Sequence, residues 1–148
     1  MRYFKWQSDD NCFIFEKMVG DVTADLIEVS DEYIVDLSVK DNLAIISDCR
    51  DASFRKMSLG QGWDLGMNFT KLIPQNLHVE LALITNPSRK EDSEIISKYA
   101  AAADTSRFTT VKTFHLMNEA YDWLNISSLI SDELEKELQA WEKKLAEE

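Results

Sequence analysis

The chain has 148 residues and a formal net charge of −11, with 45% hydrophobic and 29% charged residues. This length and balance are typical of one soluble globular domain with a substantial core. The acidic excess is spread along the chain, since residues 1–74 carry 13 acidic and 8 basic side chains and residues 75–148 carry 14 and 8. Such a surface repels phosphate groups, so neither nucleic acids nor anionic membranes are expected partners.

The N-terminal segment contains two stretches of aromatic and aliphatic residues with turn-forming residues between them, which predicts a β-hairpin. Its strands are Met1–Gln7 and Cys12–Val19, and Ser8–Asn11 supply the turn. Thr23 is then in position to cap a helix that runs to about Val39. At helical spacing, the predicted buried face of this helix comprises Leu26, Tyr33, Ile34 and Leu37.

An apolar strand without alternation follows at Leu43–Ser47, which predicts burial on both of its faces. Ser58 is the predicted N-cap of the next helix, which runs to about Ile73 before Pro74 ends it. Its predicted buried stripe comprises Leu65, Phe69, Leu72 and Ile73. A strand followed by a helix begins the rhythm of an α/β fold.

This helix contains three of the four glycines of the chain, at positions 60, 62 and 66. Glycine weakens a helix by up to about 1 kcal/mol relative to alanine, so the spacing indicates either close packing or a mobile first turn. Trp63 and Met67 lie among these glycines, where Trp63 belongs either to the core or to a pocket or interface. A ligand or partner site at Trp63 and Met67 is therefore one hypothesis for this helix.

Two further apolar runs, Leu77–Thr85 and Thr109–His115, each follow the preceding strand after one helix-sized interval. Between them, Ser88 and Glu91 have the spacing of a capping box at the start of a helix. The predicted inner face of that helix comprises Ile95, Ile96, Tyr99, Ala100 and Ala103. Strands that alternate with helices in this way predict an α/β fold.

The C-terminal segment contains two more predicted helices. Asn118 is in position to cap a short one over Glu119–Leu124. The longer one, from Ser131, has a narrow apolar stripe of coiled-coil spacing that comprises Leu134, Leu138, Trp141 and Leu145. The stripe either docks on its own domain or contacts a partner or a second copy. Two heptads are too short to hold a dimer alone, so we expect this helix to contribute to a homodimer beside other surface.

A polar cluster, Asp48, Arg50 and Asp51, follows the apolar run Leu43–Ser47. Sites in α/β folds lie at the C-terminal ends of strands, so these side chains either bind a polar ligand or partner, or form an ion-pair network. No complete catalytic motif is present, because the serines lack a nucleophile elbow and the glycine spacing does not fit a dinucleotide fingerprint. The two histidines have no neighbours at metal-ligand spacing, so neither a metal nor a cofactor is expected.

The expected location of the protein is the cytoplasm. The N-terminus lacks an apolar run of signal-peptide length, and no window approaches the roughly 18 apolar residues of a membrane helix. Cys12 and Cys49 each lie in an apolar run, where a free thiol acts as a small hydrophobic group, and two cysteines do not make a disulfide framework. We therefore expect a reducing environment and no membrane insertion.

Several short motifs resemble those of bacterial STAS-like domains, which are related to the anti-sigma-factor antagonists and to CRAL-TRIO folds. Gly20–Thr23 is similar to the family's entry into its first helix, and Ile45–Phe54 resembles its strand ending in D-x-R-D/G-A-x-F. The family's closing pattern resembles Val79–Thr85 followed by Tyr99, Phe114, Ala120, Trp123 and Leu124. The resemblance covers roughly residues 13–126.

The resemblance implies a mixed β-sheet with helices mainly packed on one face. It also implies a non-enzymatic role in protein–protein regulation or ligand sensing. Ser58 falls where the classical antagonists carry a phosphorylatable serine, but Lys56 and Leu59 stand where that motif has Asp and Gly. We therefore expect Ser58 to cap a helix and not to act as a phosphorylation switch.

The sequence thus predicts an α/β domain over residues 1–126 and an acidic amphipathic helix over residues 127–148. The expected function is a regulatory or protein-interaction module without catalytic activity, which binds a protein partner or a second copy of itself. The alternative is a pocket protein for a small apolar molecule or a lipid. CRAL-TRIO kinship implies that alternative, and the glycine-spaced helix favours it.

Overall fold

The computed structural model describes residues 1–35 and 41–148. Within these ranges the chain forms five strands and five helices in the order ββαβαβαβαα. The strands are β1 Arg2–Gln7, β2 Phe13–Asp21, β3 Asn42–Ser53, β4 His78–Ile84 and β5 Thr109–Phe114. The helices are α1 Ala24–Val35, α2 Leu59–Leu72, α3 Lys90–Ala103, α4 Met117–Leu124 and α5 Ser128–Ala146.

The strands form one mixed sheet in chain order. β1 pairs antiparallel with β2, as the predicted hairpin requires, and β2 to β5 pair parallel in turn. Right-handed crossovers that always step in the same direction place every crossover helix on the same face of a sheet. Accordingly α1, α2 and α3 pack on one face, while α4 and α5 cover the other. The predicted mixed sheet with helices mainly on one face is confirmed.

Alternation along the strands divides the buried side chains between two cores. Ile14 and Ile45 belong to the first core, beneath α1, α2 and α3. Their sequence neighbours Phe15 and Ile46 belong to the second core, beneath α4 and α5. The burial of β3 on both faces, predicted from the run Leu43–Ser47, is therefore confirmed.

The C-terminal helix α5 closes the second core. Leu134 and Leu138 are buried, and the Trp141 ring packs on Phe4 of β1 with 5.4 Å between ring centroids. Leu145 is half-buried near the end of the same stripe. Of the two arrangements left open by the sequence, the stripe therefore takes the one docked on its own domain. A contribution of this helix to a homodimer stays a prediction.

The buried face of α1 differs from the prediction. Ile34 is buried as expected, but Leu26 and Tyr33 are exposed, and Asp31 is buried instead. The prediction followed apolar residues alone, whereas the helix turns a carboxyl group toward the sheet. The parts of this prediction that lie outside the described residues are Leu37 and the helix end near Val39.

Strand β3 is longer than predicted. It continues from Ser47 to Ser53, so Asp48, Arg50 and Asp51 lie inside a strand and not in a loop after it. The reason is that β2 continues to the same end of the ladder and pairs with β3 along this whole stretch. Local polarity indicated a strand end, but the partner strand decides where the ladder stops.

Helix α2 begins at the predicted cap and lies closely against α3. Ser58 Oγ accepts from Gln61 N at 3.1 Å, and the Gln61 side chain accepts from Ser58 N at 2.9 Å, which completes a capping box. Gly62 and Gly66 are buried where an added methyl group would collide with the α3 backbone. The glycine spacing therefore reflects close packing. Within the predicted stripe, only Leu72 is half-buried.

Two other predicted caps are wrong. Helix α3 begins at Lys90, and Ser88 instead donates a hydrogen bond to Asn86 Oδ1 at 2.7 Å. Helix α4 begins at Met117, one residue before the predicted cap Asn118, and has no side-chain cap. In both cases the preceding strand and its loop determine where the helix begins. The favourable capping residue then lies one or two residues away from the N-cap position.

Candidate functional site

A partly enclosed cavity lies between the sheet and helices α1, α2 and α3. It offers about 40 Å³ to the centres of water-sized molecules, where one water needs roughly 10–15 Å³. Most of its wall is apolar and comes from three strands and three helices, among them Met18, Ile45, Leu81, Leu83, Phe69 and Ile95. A few polar side chains converge on it from the same elements: Glu16, Asp31, Ser47, Cys49 and Tyr99.

Glu16 of β2 reaches the cavity from the sheet and is almost completely buried. Tyr3 donates a hydrogen bond to its Oε2 at 2.6 Å, and Ser47 donates one to its Oε1 at 2.8 Å. Ser47 lies directly across from Glu16 in the parallel ladder, so the sheet itself fixes this contact. Burial raises the pKa of the Glu16 carboxyl, although the two hydroxyl donors favour its charged form.

Asp31 of α1 reaches the cavity from the helix side and is also buried. Tyr99 of α3 donates a hydrogen bond to its Oδ2 at 2.9 Å. Within residues 1–35 and 41–148, Oδ1 of Asp31 makes no hydrogen bond. Burial first, and then the nearby Glu16 carboxyl, raise the pKa of Asp31 well above its ordinary value. The cavity thus holds two buried carboxyl groups whose pKa values are both raised.

No basic side chain forms an ion pair with Glu16 or Asp31 in the part of the chain that the structure describes. Among the described residues, Lys5 is the cation that acts to lower the pKa of Glu16, and its ammonium lies 3.5 Å from the centre of the Tyr33 ring. Buried carboxyl groups normally have a cationic partner, because burying an unpaired charge is costly. These two carboxyl groups are therefore unusual features of an otherwise apolar core.

Cys49 adds a thiol to the same wall. Its Sγ lies 3.7 Å from Ser47 Oγ, and burial raises the pKa of the thiol above its ordinary value. A reactive cysteine needs the opposite, a lowered pKa that yields the thiolate. Cys49 is thus suited to line a pocket and not to act as a nucleophile.

The sequence contained a signal for both carboxyl groups. In β2, Glu16 alternates with Ile14 and Met18, which face the first core. In α1, Asp31 is four residues after Ile27 and so lies in the apolar register of the helix. An acidic residue in an apolar register is the pattern that would have identified this site, and the sequence reasoning did not use it.

The predicted cluster at Asp48 lies on the opposite face of the sheet. Asp48 is fully buried and accepts two hydrogen bonds from the Arg50 side chain, from Nε and from Nη2, both at 2.9 Å, and a third from Arg50 N at 3.2 Å. Lys17 of β2 lies 3.6 Å from Asp48, 3.1 Å from Asp51 and 3.5 Å from Glu142 of α5. This is the ion-pair network named as the alternative to a binding site, and it joins two strands to α5.

Each charge of this network contacts an opposite charge, in contrast to the two carboxyl groups of the cavity. Burial alone would raise the pKa of Asp48, but the Arg50 guanidinium lies against it and holds the pKa below its ordinary value. Burial alone would lower the pKa of Lys17, but the Asp48 and Asp51 carboxylates together raise it. Both partners therefore stay charged at neutral pH.

The other predicted site residues lie on α2 and do not line the cavity. Ser58 uses its hydroxyl in the capping box. Trp63 is 40% exposed on the outer surface, and half-buried Met67 accepts a hydrogen bond from Thr105 at 3.7 Å. Their neighbours Met57, Gly62 and Phe69 line the cavity instead. The structure therefore does not bring the six predicted ligand or partner residues together.

Within residues 1–35 and 41–148, no helix combines the length and apolar character needed to cross a bilayer. In the same ranges, no group of three or more His, Cys, Asp or Glu side chains is arranged to hold a metal ion.

No protein-family model matches the chain, and no curated protein matches it significantly. A solved structure from Shewanella loihica PV-4 is similar to it, described as an uncharacterized protein of the DUF3478 family with a SpoIIAA-like fold. The two chains are 19% identical with a TM-score of 0.49, and the match covers 83% of this chain and 92% of that one. That fold is of the class that the sequence resemblance indicated, and the likeness carries no information on function.

Proposed function

We propose that this protein is a non-enzymatic ligand-binding module whose cavity beneath α1, α2 and α3 holds a small, largely apolar molecule. The observation that carries the proposal is the cavity itself, with apolar walls and polar groups convergent on Glu16 and Asp31. Apolar pockets with a few convergent polar groups and perturbed pKa values are the usual form of small-molecule sites.

The chemistry of the polar groups supports binding over catalysis. Burial raises the pKa of Cys49, Tyr99 and Tyr3 alike, which keeps all three protonated and able to donate hydrogen bonds. None of them is the deprotonated nucleophile that covalent catalysis requires. The ion-pair network on the other face supports a structural role there, because its charges are matched among themselves.

The five methionines of the chain offer a direct test. Met18 and Met57 line the cavity, whereas Met1, Met67 and Met117 do not. In the full chain labelled with ¹³C at the methionine methyl groups, a small apolar probe that enters the cavity should shift the Met18 and Met57 signals saturably. The other three signals are the internal control. If small probes move all five methyl signals equally, or none, the cavity is not a binding site.

A second observation favours the interaction role implied by the resemblance, and we propose it as the second candidate, with a second copy of the chain as the partner. Leu26, Val29 and Tyr33 are exposed on one side of α1, with Val29 at 65%. One strip of this kind can pair with itself about a twofold axis. Light scattering should then give a dimer for the full chain and a monomer for Val29→Lys. A monomeric parent chain at high concentration would exclude this arrangement.

A further inference from the structure

We propose that the ligand of the cavity carries a cationic nitrogen, as in a protonated amine or an amidine, on a small apolar body. This inference rests on the proposed binding function and specifies the ligand class. It starts from the mismatch between the two cavity carboxyl groups and the absence of a basic partner for them within the described ranges.

The two carboxyl groups come from different elements that face each other across the cavity. Glu16 is 3% and Asp31 is 5% exposed, one on β2 and the other on α1. Both elements are fixed by the first core, so the two groups cannot separate into solvent without opening it. A cation that enters beside them would pair with the carboxylate that its entry ionises, in a setting of low dielectric constant.

The hydrogen bonds that the two carboxyl groups already accept show what the ligand must supply. Both oxygens of Glu16 already accept bonds, from Tyr3 and Ser47. Asp31 accepts one bond, from Tyr99, and its Oδ1 has no donor among the residues that the structure describes. An ammonium group brings three donors and no acceptor, so it can fill this oxygen without leaving an unpaired acceptor of its own.

The titratable groups around Glu16 and Asp31 determine how readily these carboxyl groups hold a proton. They are Tyr3 and Lys5 on β1, Glu16 on β2, Glu28 on α1, Cys49 on β3 and Tyr99 on α3. Burial raises the pKa of both carboxyl groups, and that of Asp31 well above its ordinary value, so the empty cavity favours the protonated form of Asp31. Entry of an ammonium ion reverses that preference. The carboxyl proton then leaves to solvent as the ammonium takes its place, with no change in the charge of the cavity.

This exchange predicts a pH dependence that other ligand classes do not share. Affinity for an amine should rise with pH by up to about tenfold per unit, the limit for one proton released per amine bound, as long as the empty site is protonated. A neutral alcohol of the same size should bind independently of pH. A carboxylate should bind less well as pH rises, because it meets ionised carboxyl groups.

The experiment uses n-butylammonium chloride, n-butanol and sodium butyrate on the full chain with ¹³C-labelled methionine methyls, between pH 6 and 8. We expect n-butylammonium to shift Met18 and Met57 saturably, to bind more tightly than n-butanol or butyrate, and to be the only one of the three whose affinity rises with pH. Asp31→Asn and Glu16→Gln should each lose at least tenfold in amine affinity and most of its pH dependence. Asp51→Asn, exposed on the opposite face, should leave both unchanged.

The outcomes separate this inference from the function on which it rests. If n-butanol binds as well as the amine and without pH dependence, the cavity is a binding site and the cationic ligand is refuted. The same holds if amine binding survives in Asp31→Asn. If no probe shifts Met18 and Met57 apart from the other methyls, the binding function fails as well. Should either variant not fold, the pH dependence of the unaltered chain still decides the question.

Discussion

Substitution of Gly66 by alanine tests the closeness of α2 and α3, which forms one side of the cavity. The added methyl group would lie far inside van der Waals contact with the Tyr99 carbonyl oxygen, 2.8 Å from Ala102 Cβ and 3.1 Å from Ala103 N. Two of these three neighbours are backbone atoms near the C-terminal end of α3. They cannot rotate away as a side-chain tip could, so α2 and α3 must separate.

The size of the effect follows from two opposed contributions. Alanine favours a helix over glycine by up to about 1 kcal/mol. Overpacking in a well-filled interior costs about 1–3 kcal/mol, and rigid backbone neighbours place this case at the upper end. We therefore expect Gly66→Ala to lower the free energy of unfolding by about 2 kcal/mol. For a domain of this size that corresponds to a fall in Tm of roughly 4–8 °C.

Two glycines in the same helix are matched controls. An alanine at Gly60 has open space, with Ser58 Oγ 3.9 Å away as its nearest neighbour, so Gly60→Ala should be neutral or stabilising. Gly62→Ala should fall between them, because its contact with the Ile95 carbonyl oxygen is 2.9 Å. Urea denaturation followed by circular dichroism gives all three free energies. A stability of Gly66→Ala equal to that of Gly60→Ala would refute the close packing.

Three further predictions concern acid–base behaviour, capping and the end helix. The pKa values of Glu16 and Asp31 are raised in the folded state, so protonation of these groups stabilises the fold; this stabilisation is complete below the unfolded pKa values near about 4 and is lost as pH rises through the folded values. Asp31→Asn should therefore flatten the fall in Tm above about pH 5. An unchanged dependence of Tm on pH would contradict this. Ser58→Ala should cost about 1 kcal/mol while Ser58→Asp is nearly neutral, measured by urea denaturation; phosphate on Ser58 in cells together with altered partner binding would contradict a purely structural cap. Leu134→Ala should cost about 3 kcal/mol by the same measurement because Leu134 is fully buried, and removal of residues 128–148 should lower Tm and give a sticky monomer; a truncated chain of unchanged Tm would show that α5 adds nothing to the core.

The architecture could be predicted because each element has its own local signal. The turn at Ser8–Asn11, the non-alternating run of β3 and the cap at Ser58 each depend on residues close in sequence. Once strands and helices alternate, the rule of right-handed crossovers fixes the face on which the helices lie. These predictions needed no information on distant contacts.

What could not be predicted depends on neighbours that are distant in sequence. The end of β3 is set by its partner β2, so the polar residues from Asp48 onward remain in the ladder. The burial of Asp31 depends on Tyr99, which is 68 residues away and donates a hydrogen bond to it. Polarity alone indicated exposed positions for such residues, and only the packed fold reverses that expectation.

Buried acidic residues have different kinds of partner on the two faces of the sheet, and this contrast distinguishes the cavity. On the face of α4 and α5, Asp48 is surrounded by Arg50 and Lys17, and every charge has a partner in contact. On the face of α1, α2 and α3, Glu16 and Asp31 are equally buried, but the side chains that donate to them within residues 1–35 and 41–148 are all hydroxyl groups. A sequence selected for stability alone would use apolar side chains at both positions, because hydroxyl donors do not offset the burial of two carboxyl groups. Departures of this kind from internal consistency are typical of functional sites. Among the described residues, no positive charge pairs with these carboxyl groups and one carboxyl oxygen has no hydrogen-bond donor, and the small cationic ligand that we propose would supply both.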